Sequence, residues 1–325
     1  MIHPLPPGMR DVLPDEMREL RALSDRLRAV FDTAGYGEVW TPALEYEDVL
    51  RLGDANAAGA AFRLFDSLGR VLVLRSDPTI PIARLVANRF ADADPPIRLC
   101  YFQHAYRSVE RGAAQAREFL QSGVELVGAP APEGDAEIVA VVLEALASAG
   151  LRRHRIGLGD ASIYPTLLAQ AGVPEAERAT LLDHLARRDL PALEVDVDRL
   201  GLSPATRDLL MAPAQLRGGP EVLERATGPL AVAVENLRRI HELVSEYGDG
   251  RGAERLIFDL GLVRDMSYYT GTVFEVYDPA VGYALGGGGR YDDLCGRFGR
   301  PLPACGLALD VQRVHMAQLE EERLA

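Results

Sequence analysis

Two polar residues near the middle of the chain have the spacing of a ligand-binding surface on a β-strand. Gln121 and Glu125 lie four residues apart with Gly123 between them, so a strand would place all three on one face of a sheet. Glycine leaves space above the sheet, and the flanking amide and carboxylate suit an ammonium, an imidazole N–H or a carboxylate. The alternative is the polar, solvent-facing side of an ordinary antiparallel sheet.

Three further segments carry polar groups that suit a small charged ligand. Arg107 follows a predicted strand, and its planar guanidinium suits a carboxylate or a phosphate. Asp77 and Thr79 flank a proline at a strand-to-helix junction, where Asp77 either holds a substrate ammonium or caps the helix. In residues 262–269 an arginine precedes two tyrosines, which either clamp an aromatic or imidazole ligand or pack on the core edge. These last three residues are Arg264, Tyr268 and Tyr269.

Four consecutive glycines, Gly286 to Gly289, precede Arg290. Such a run allows close approach of the backbone to a ligand and predicts a tight turn. It is not a Walker loop, because no Gly-Lys-Ser/Thr follows, and it is not a dinucleotide fingerprint, because no βαβ unit surrounds it.

Composition narrows the class of protein. The chain has 325 residues, 48% hydrophobic and 26% charged, which is typical of one large or two smaller globular domains. A net charge of −13 provides no overall attraction for a polyanion, although a local basic patch stays possible. There is no run of about 18 apolar residues and no signal-peptide start, so we expect a cytoplasmic location. Metal and cofactor sites are not predicted, and the three cysteines, interpreted as buried reduced thiols, are Cys100, Cys295 and Cys305.

The candidate residues must be positioned by strands and helices that the sequence also predicts. Strand patterns occur in the first and last parts of the chain, and helical patterns dominate the middle. Helical patterns dominate residues 165–252, and strand patterns then return. Strands that stop and resume predict one antiparallel sheet flanked by helices, with a helical insertion at 165–252, which is an α+β fold rather than a doubly wound one. The predicted helices are 15–34, 79–90, 135–149 and 310–323, and the predicted strands are 36–44, a hairpin at 62–74, a pair around the loop 108–115, and 256–260, 272–277, 283–285 and 304–309.

Taken together, these segments resemble histidyl-tRNA synthetase, a class II aminoacyl-tRNA synthetase. Each match is short, but the set occurs in order along nearly the whole chain, and it implies the antiparallel sheet of class II synthetases. The matched segments are the N-terminal G-x-x-D-x-L-P at 8–14, motif 1 (the dimer-interface motif of the family) at 35–42, motif 2 at 106–125, the histidine-specific loop LVRGLDYY at 262–269, GGRYDxL at 287–294, and motif 3 at 303–314 with Arg313 at the nucleotide-contacting arginine.

The resemblance also implies a histidine pocket. It places Asp77 at the position of the glutamate that contacts the ligand ammonium in the family, and Thr79 at a threonine of that pocket. The implied ligand-binding residues, none of which is assigned a catalytic role, are Asp77, Thr79, Arg107, Gln121, Glu125, Arg264, Tyr268 and Tyr269.

Departures from the family fall mainly on positions that would hold ATP. Val109 replaces the glutamate of motif 2, and residues 112–115 replace basic residues, which weakens binding of a triphosphate. Asp310 stands where motif 3 has a glycine, and so places an anion where phosphates would lie. In the histidine-specific loop, Asp265 and Ser267 replace a glycine and an aspartate. Three arginines of the site are kept, which leaves nucleotide binding open.

Three functional hypotheses follow from this resemblance. The first is a regulatory subunit of ATP phosphoribosyltransferase, a synthetase-like paralogue without the anticodon-binding domain. In that family the subunit activates a short-form catalytic subunit in the first step of histidine biosynthesis and takes part in histidine feedback inhibition. It implies self-association through the motif 1-like region, histidine as effector, no tRNA, no membrane and no C-terminal anticodon-binding domain. The second hypothesis is a truncated enzyme that forms histidyl-adenylate, and the third is a free-standing amino-acid sensor.

Overall fold

The computed structural model describes residues 4–55, 59, 61–108, 116–226, 228–248, 250–264 and 266–324. The strands within them are β1 (Gly37–Glu38), β2 (Leu44–Tyr46), β3 (Arg63–Phe65), β4 (Val71–Leu74), β5 (Ile97–Tyr106), β6 (Glu118–Val127), β7 (Arg155–Asp160), β8 (Arg217–Gly218), β9 (Leu256–Asp259), β10 (Thr272–Tyr277), β11 (Gly286–Arg290) and β12 (Ala304–Asp310). The α-helices are α1 (Pro14–Thr33), α2 (Glu47–Gly53), α3 (Thr79–Arg89), α4 (Glu133–Ser148), α5 (Ile163–Gln170), α6 (Glu175–Ala186), α7 (Leu190–Arg199), α8 (Pro204–Gln215), α9 (Ala231–Glu246), α10 (Leu294–Arg297) and α11 (Val311–Leu324). Short 3₁₀ helices lie at Pro220–Arg225, Gly228–Leu230 and Arg251–Arg255.

A large sheet of nine strands forms the centre of the molecule, in the order β1-β5-β6-β12-β11-β10-β7-β9-β8. It is mostly antiparallel, with parallel pairing only for β1 with β5 and for β7 with β9. Helices α1 and α4 pack on one face, where their apolar side chains form a continuous core with Val124 and Leu126 of β6. The odd-numbered residues of β6 therefore point to the opposite face.

Local sequence accounts for the longest helices. In α1, Leu20, Leu23, Leu27 and Phe31 recur every three or four residues and are buried as one stripe. Proline occupies the first turn, where its missing N–H costs nothing, and Gly35 ends the helix with a φ of +83°.

A second sheet of three strands, in the order β2-β4-β3, lies beside the first. On one of its faces Val73 is fully buried. The other face is apolar but accessible, because Leu44, Tyr46 and Leu64 are each 37–42% exposed. Registers Tyr46↔Leu72 and Leu64↔Leu72 place Tyr46 and Leu64 in one row, and Leu44 lies in the next row, opposite Leu74.

The predicted fold class is confirmed: the protein is α+β, with a mostly antiparallel sheet flanked by helices. The helices predicted at 15–34, 79–90, 135–149 and 310–323 and the hairpin at 62–74 are also confirmed to within about two residues at each end. Helices α5 to α9 occupy the segment 163–246, and Leu193 and Leu237 from it belong to the same buried cluster as Leu27. The helical insertion at 165–252 stays a prediction.

Two strand predictions and one turn prediction were wrong, and one strand was missed. The segment predicted as a strand at 36–44 contains only the two residues of β1 and the start of β2. The strand predicted at 283–285 and the turn predicted at Gly286–Gly289 are replaced by β11, an interior strand paired on both sides. Strand β7 was not predicted at all. Glycine carries no side chain from which a period of two can be read, so only the neighbouring strands determine the conformation of β11.

The three cysteines are buried and unpaired, as predicted. None of the helices in the described ranges has the length and apolar character needed to cross a membrane.

Candidate functional site

The predicted site residues converge on one cavity of about 220 Å³. Strands β6, β11 and β12 form its floor, on the sheet face opposite α1 and α4. The start of α3 and the segment after β9 form its walls. The predicted residues that line it are Asp77, Thr79, Arg107, Gln121, Glu125, Arg264 and Tyr269, while Tyr268 lies directly behind Asp77.

Small residues of the floor leave room for the functional side chains. One cross-strand row contains Gly123, Ala308 and Gly287, and the next contains Glu125, Gly306 and Gly289. A Cβ on Gly287 would lie 2.5 Å from the Arg264 guanidinium, and one on Gly289 would lie 2.7 Å from the Tyr269 ring. A Cβ on Gly306 would collide with the Glu125 carboxylate. The glycines of β11 and β12 therefore position three predicted ligand-binding groups.

The space above Gly123 is not free for a ligand, which corrects the sequence interpretation. The ring of Tyr101, its partner across β5 and β6, covers it, and a Cβ on Gly123 would lie 2.5 Å from the Tyr101 hydroxyl. Gln121 and Glu125 nevertheless both line the cavity, on either side of this ring.

Glu125 is the most buried acid of the cavity, at 2% exposure. Its Oε1 accepts a hydrogen bond from Thr79 Oγ1 at 2.7 Å, and its Oε2 accepts one from the Tyr291 hydroxyl. Burial raises the pKa of Glu125 to about 8, although both hydrogen bonds act in the opposite direction. A cationic or N–H-bearing ligand would offset the free-energy cost of burying the ionised form of this carboxyl group.

Asp77 is the second acid at this end of the cavity. Its Oδ1 accepts the backbone N–H of Thr79 at 2.6 Å, and its Oδ2 accepts the Tyr268 hydroxyl at 3.1 Å. The predicted capping contact is present, but helix α3 begins at Thr79 and its cap position is Pro78. Asp77 therefore both fixes the helix start and lines the cavity.

Three arginines lie at the other end of the cavity. Arg264 donates to Glu275 Oε1 at 3.0 Å, and Arg313 donates to the backbone oxygen of Ala284 at 2.8 Å. The Arg107 guanidinium stacks 5.0 Å from the centre of the Phe119 ring but has no hydrogen bond or ion pair with the described residues. Burial lowers the pKa of Arg107, as do the charges of the two neighbouring arginines.

Gln121 also lacks a partner at this end. Its side chain is 8% exposed, and its Oε1 is buried with no hydrogen bond to the described part of the chain. Native proteins rarely leave a buried acceptor without a donor, so a ligand group is the natural partner.

Sequence reasoning missed Tyr291 and Glu275. Tyr291 holds Glu125, and Glu275 pairs with Arg264. Tyr291 stands two residues after the glycine run, within the GGRYDxL match at 287–294, but the match assigned it no ligand-binding role. Of the predicted departures from the family, Val109, residues 112–115 and Asp265 lie outside the described residues. Ser267 donates to Asp54 Oδ1 at 2.7 Å, and Asp310 lines the cavity.

The cavity is suited to a small zwitterion. Glu125 and Asp77 lie at one end, and the three arginines lie at the other, where Glu275 and Asp310 pair with two of them. The volume falls below the roughly 300–1,000 Å³ of sites for drug-sized ligands. An amino acid with a basic or N–H-bearing side chain fits this distribution of charge.

Comparisons with known proteins identify related sequences and structures. Residues 8–314 match the histidyl-tRNA synthetase family model. The chain is 43% identical to an ATP phosphoribosyltransferase regulatory subunit from Symbiobacterium thermophilum, over 99% of this chain and 81% of that protein.

Two solved structures are also similar. One is an ATP phosphoribosyltransferase regulatory subunit/histidyl-tRNA synthetase from Bacillus halodurans, with a TM-score of 0.90, 33% identity, and coverage of 98% of this chain and 84% of that one. The other is histidyl-tRNA synthetase from Nostoc sp., with a TM-score of 0.80, 21% identity, and coverage of 99% and 76%, which supports the fold alone.

Proposed function

Because this chain belongs to the ATP phosphoribosyltransferase regulatory subunit family, which has the histidyl-tRNA synthetase fold, we propose that it is a non-catalytic subunit that binds histidine. Its partner in this proposal is a short-form ATP phosphoribosyltransferase catalytic subunit, which it activates in the first step of histidine biosynthesis. Histidine binding then contributes to feedback inhibition of that step.

The observation that carries the proposal is the cavity with Glu125 and Asp77 at one end and, at the other, Arg107, which has no ion pair with the described part of the chain. An amino acid with an imidazole has donors for the two acids and a carboxylate for the arginine. The ring of Tyr269 provides an aromatic wall beside the acids, and the ring of Tyr268 packs against it from behind, with centroids 4.9 Å apart.

Regulation requires that histidine binds with different affinity to active and inactive assemblies. The ratio of those affinities is the coupling free energy between the cavity and the catalytic subunit. The direct test is to purify this chain with a short-form catalytic subunit and to measure the rate of phosphoribosyl transfer with and without it. Absence of both complex formation and stimulation would contradict the proposal and favour a free-standing sensor.

Substitutions of cavity residues test whether histidine inhibits the complex from this site. We expect Gln121→Ala and Glu125→Ala to weaken inhibition by histidine while the complex still assembles, which size-exclusion chromatography checks. Unchanged inhibition in both variants would show that the inhibitor binds elsewhere, for example at an interface between subunits.

A histidyl-adenylate-forming enzyme is the second candidate, and the three arginines of the cavity favour it. Against it, Arg313 is held by Ala284 and Asp310, and the loop 112–115 carries no cation. An ATP–pyrophosphate exchange assay separates the candidates. Robust histidine-dependent exchange by the isolated chain would overturn the non-catalytic proposal.

Self-association belongs to the same proposal. The small sheet presents Leu44, Tyr46 and Leu64 to solvent, and Trp40 in the neighbouring motif 1-like segment is 76% exposed. Exposed apolar groups of this kind mark protein–protein contacts, and a second copy of the chain is the occupant we propose. Leu64→Asp should reduce the mass measured by light scattering, whereas Val232→Asp, an exposed apolar position on α9, should not. Equal masses for the two variants would exclude this face.

A further inference from the structure

Asp310 occupies a position at the arginine end of the cavity that a ligand anion would otherwise take. It is the last residue of β12 and lies opposite Gln121 of β6 in the sheet register. Its Oδ1 accepts the backbone N–H of Arg313 at 3.0 Å, in the first turn of α11. Its Oδ2 lies 3.4 Å from Arg313 Nε. Both residues line the cavity.

We propose that Asp310 is a specificity-determining residue, whose carboxylate replaces a ligand phosphate at the start of α11. The cavity then accepts a zwitterionic amino acid and rejects a nucleotide. This inference rests on the proposed function, because it assumes that the ligand of the cavity is an amino acid.

The helix gives the first argument. The N-terminus of an α-helix attracts anions, because its first N–H groups lack partners within the helix. In α11, a helix of 14 residues, Asp310 already accepts one of these N–H groups. A phosphate approaching this helix would meet a carboxylate in place of free donors.

The distribution of charge gives the second argument. The cavity contains three arginines and four carboxyl groups, which are Asp77, Glu125, Glu275 and Asp310. Glu275 pairs with Arg264 and Asp310 pairs with Arg313, so among the described residues Arg107 is the one arginine of the cavity without an ion pair. One cation suits one ligand carboxylate, whereas a triphosphate needs several cations to offset its charge.

The unpartnered side chain of Gln121 gives the third argument. Its Oε1 is a buried acceptor in the same cavity, and its backbone is paired with that of Asp310. An acceptor beside a carboxylate selects a ligand that brings a donor, such as an ammonium group, and disfavours a phosphate oxygen.

The test uses Asp310→Asn in the full chain, with ATP and tripolyphosphate as probes in calorimetric titrations at fixed salt. Asparagine is as good a helix cap as aspartate, so the variant removes the charge and keeps the cap. We expect the variant to bind tripolyphosphate and ATP at least about tenfold more tightly than the parent chain. The matched control is Asp189→Asn, which removes one charge from the cap of α7, where Asp189 accepts the N–H of Ala192 at 3.0 Å.

Each outcome has a defined meaning. A gain in phosphate affinity in Asp310→Asn and not in Asp189→Asn supports the role of Asp310. Equal affinities for the parent chain and Asp310→Asn, or no binding of either probe to the variant, overturn it. Histidine is titrated into the same samples, and failure of the folded parent chain to bind histidine would contradict the proposed function whatever the phosphate result. Asp310→Ser provides a second uncharged cap if the asparagine variant does not fold.

Discussion

The two ends of the cavity differ in how completely the protein satisfies its own polar groups. At the acid end, every carboxylate oxygen of Glu125 and Asp77 accepts a hydrogen bond, from Thr79, Tyr291 or Tyr268. At the arginine end, the Arg107 guanidinium has no acceptor among the described residues, and Gln121 Oε1 has no donor.

This difference indicates which part of the site is built by folding and which part a ligand completes. Groups that hydrogen-bond to each other contribute to stability as well as to binding, because removal of one group leaves its buried partner without a hydrogen bond. Groups without a protein partner contribute to ligand binding, but their burial lowers the stability of the protein when no ligand is bound. Substitutions at the two ends should therefore separate stability from affinity.

The largest effect is expected at the acid end. Glu125→Ala should weaken histidine binding by about 2–3 kcal/mol, roughly a hundredfold, because a charge-assisted hydrogen bond to the ligand is lost. It should also lower the free energy of unfolding, since the hydroxyl groups of Thr79 and Tyr291 lose their acceptor. Calorimetry and denaturant titration measure the two quantities, with the exposed Glu322→Ala as control. A loss of affinity without any loss of stability would contradict the comparison.

A smaller effect with a different signature is expected at the arginine end. Arg107→Met should weaken histidine binding by about tenfold but leave the free energy of unfolding unchanged or higher, because it removes a partly buried cation that has no ion-pair partner among the described residues. Arg264→Met is the matched control, since it leaves the Oε1 of Glu275 without its cationic donor and should lower both quantities. If Arg107→Met were the more destabilising of the two variants, the assignment of Arg107 as a ligand-completed group would be wrong.

The third expected effect is a dependence of stability on pH, which involves no ligand. The pKa of Glu125 is raised by burial to about 8 in the folded chain, above its unfolded value of about 4.3. The folded state therefore binds the proton more tightly, and this contribution is fully present below about pH 4 and is lost as the pH rises through about 8. Glu125→Gln should have a melting temperature that falls less between pH 5 and pH 8 than that of the parent chain. Parallel pH profiles for the two chains would show that Glu125 does not carry this dependence.

Much of the fold and site could be predicted because side chains carry local periodicity. The stripe from Leu20 to Phe31 predicted α1, and the alternation around Gln121 and Glu125 predicted β6 and the face on which both side chains lie. The ordered motifs then grouped eight residues that lie far apart in sequence, and the structure brings seven of them to one cavity with the eighth behind it.

The remaining features depend on partners that are distant in sequence. Glycines give no periodic signal, so only pairing with β10 and β12 makes Gly286–Arg290 a strand, and only packing shows that Gly306 makes room for Glu125. The space above Gly123 is taken by Tyr101 because the β5–β6 register places that ring there. The sequence by itself determined which residue types are available and on which face of each element they lie. Only the tertiary structure decided that Tyr291 holds Glu125 and that Asp310 caps α11 beside the arginines, because those contacts depend on the relative position of separate elements.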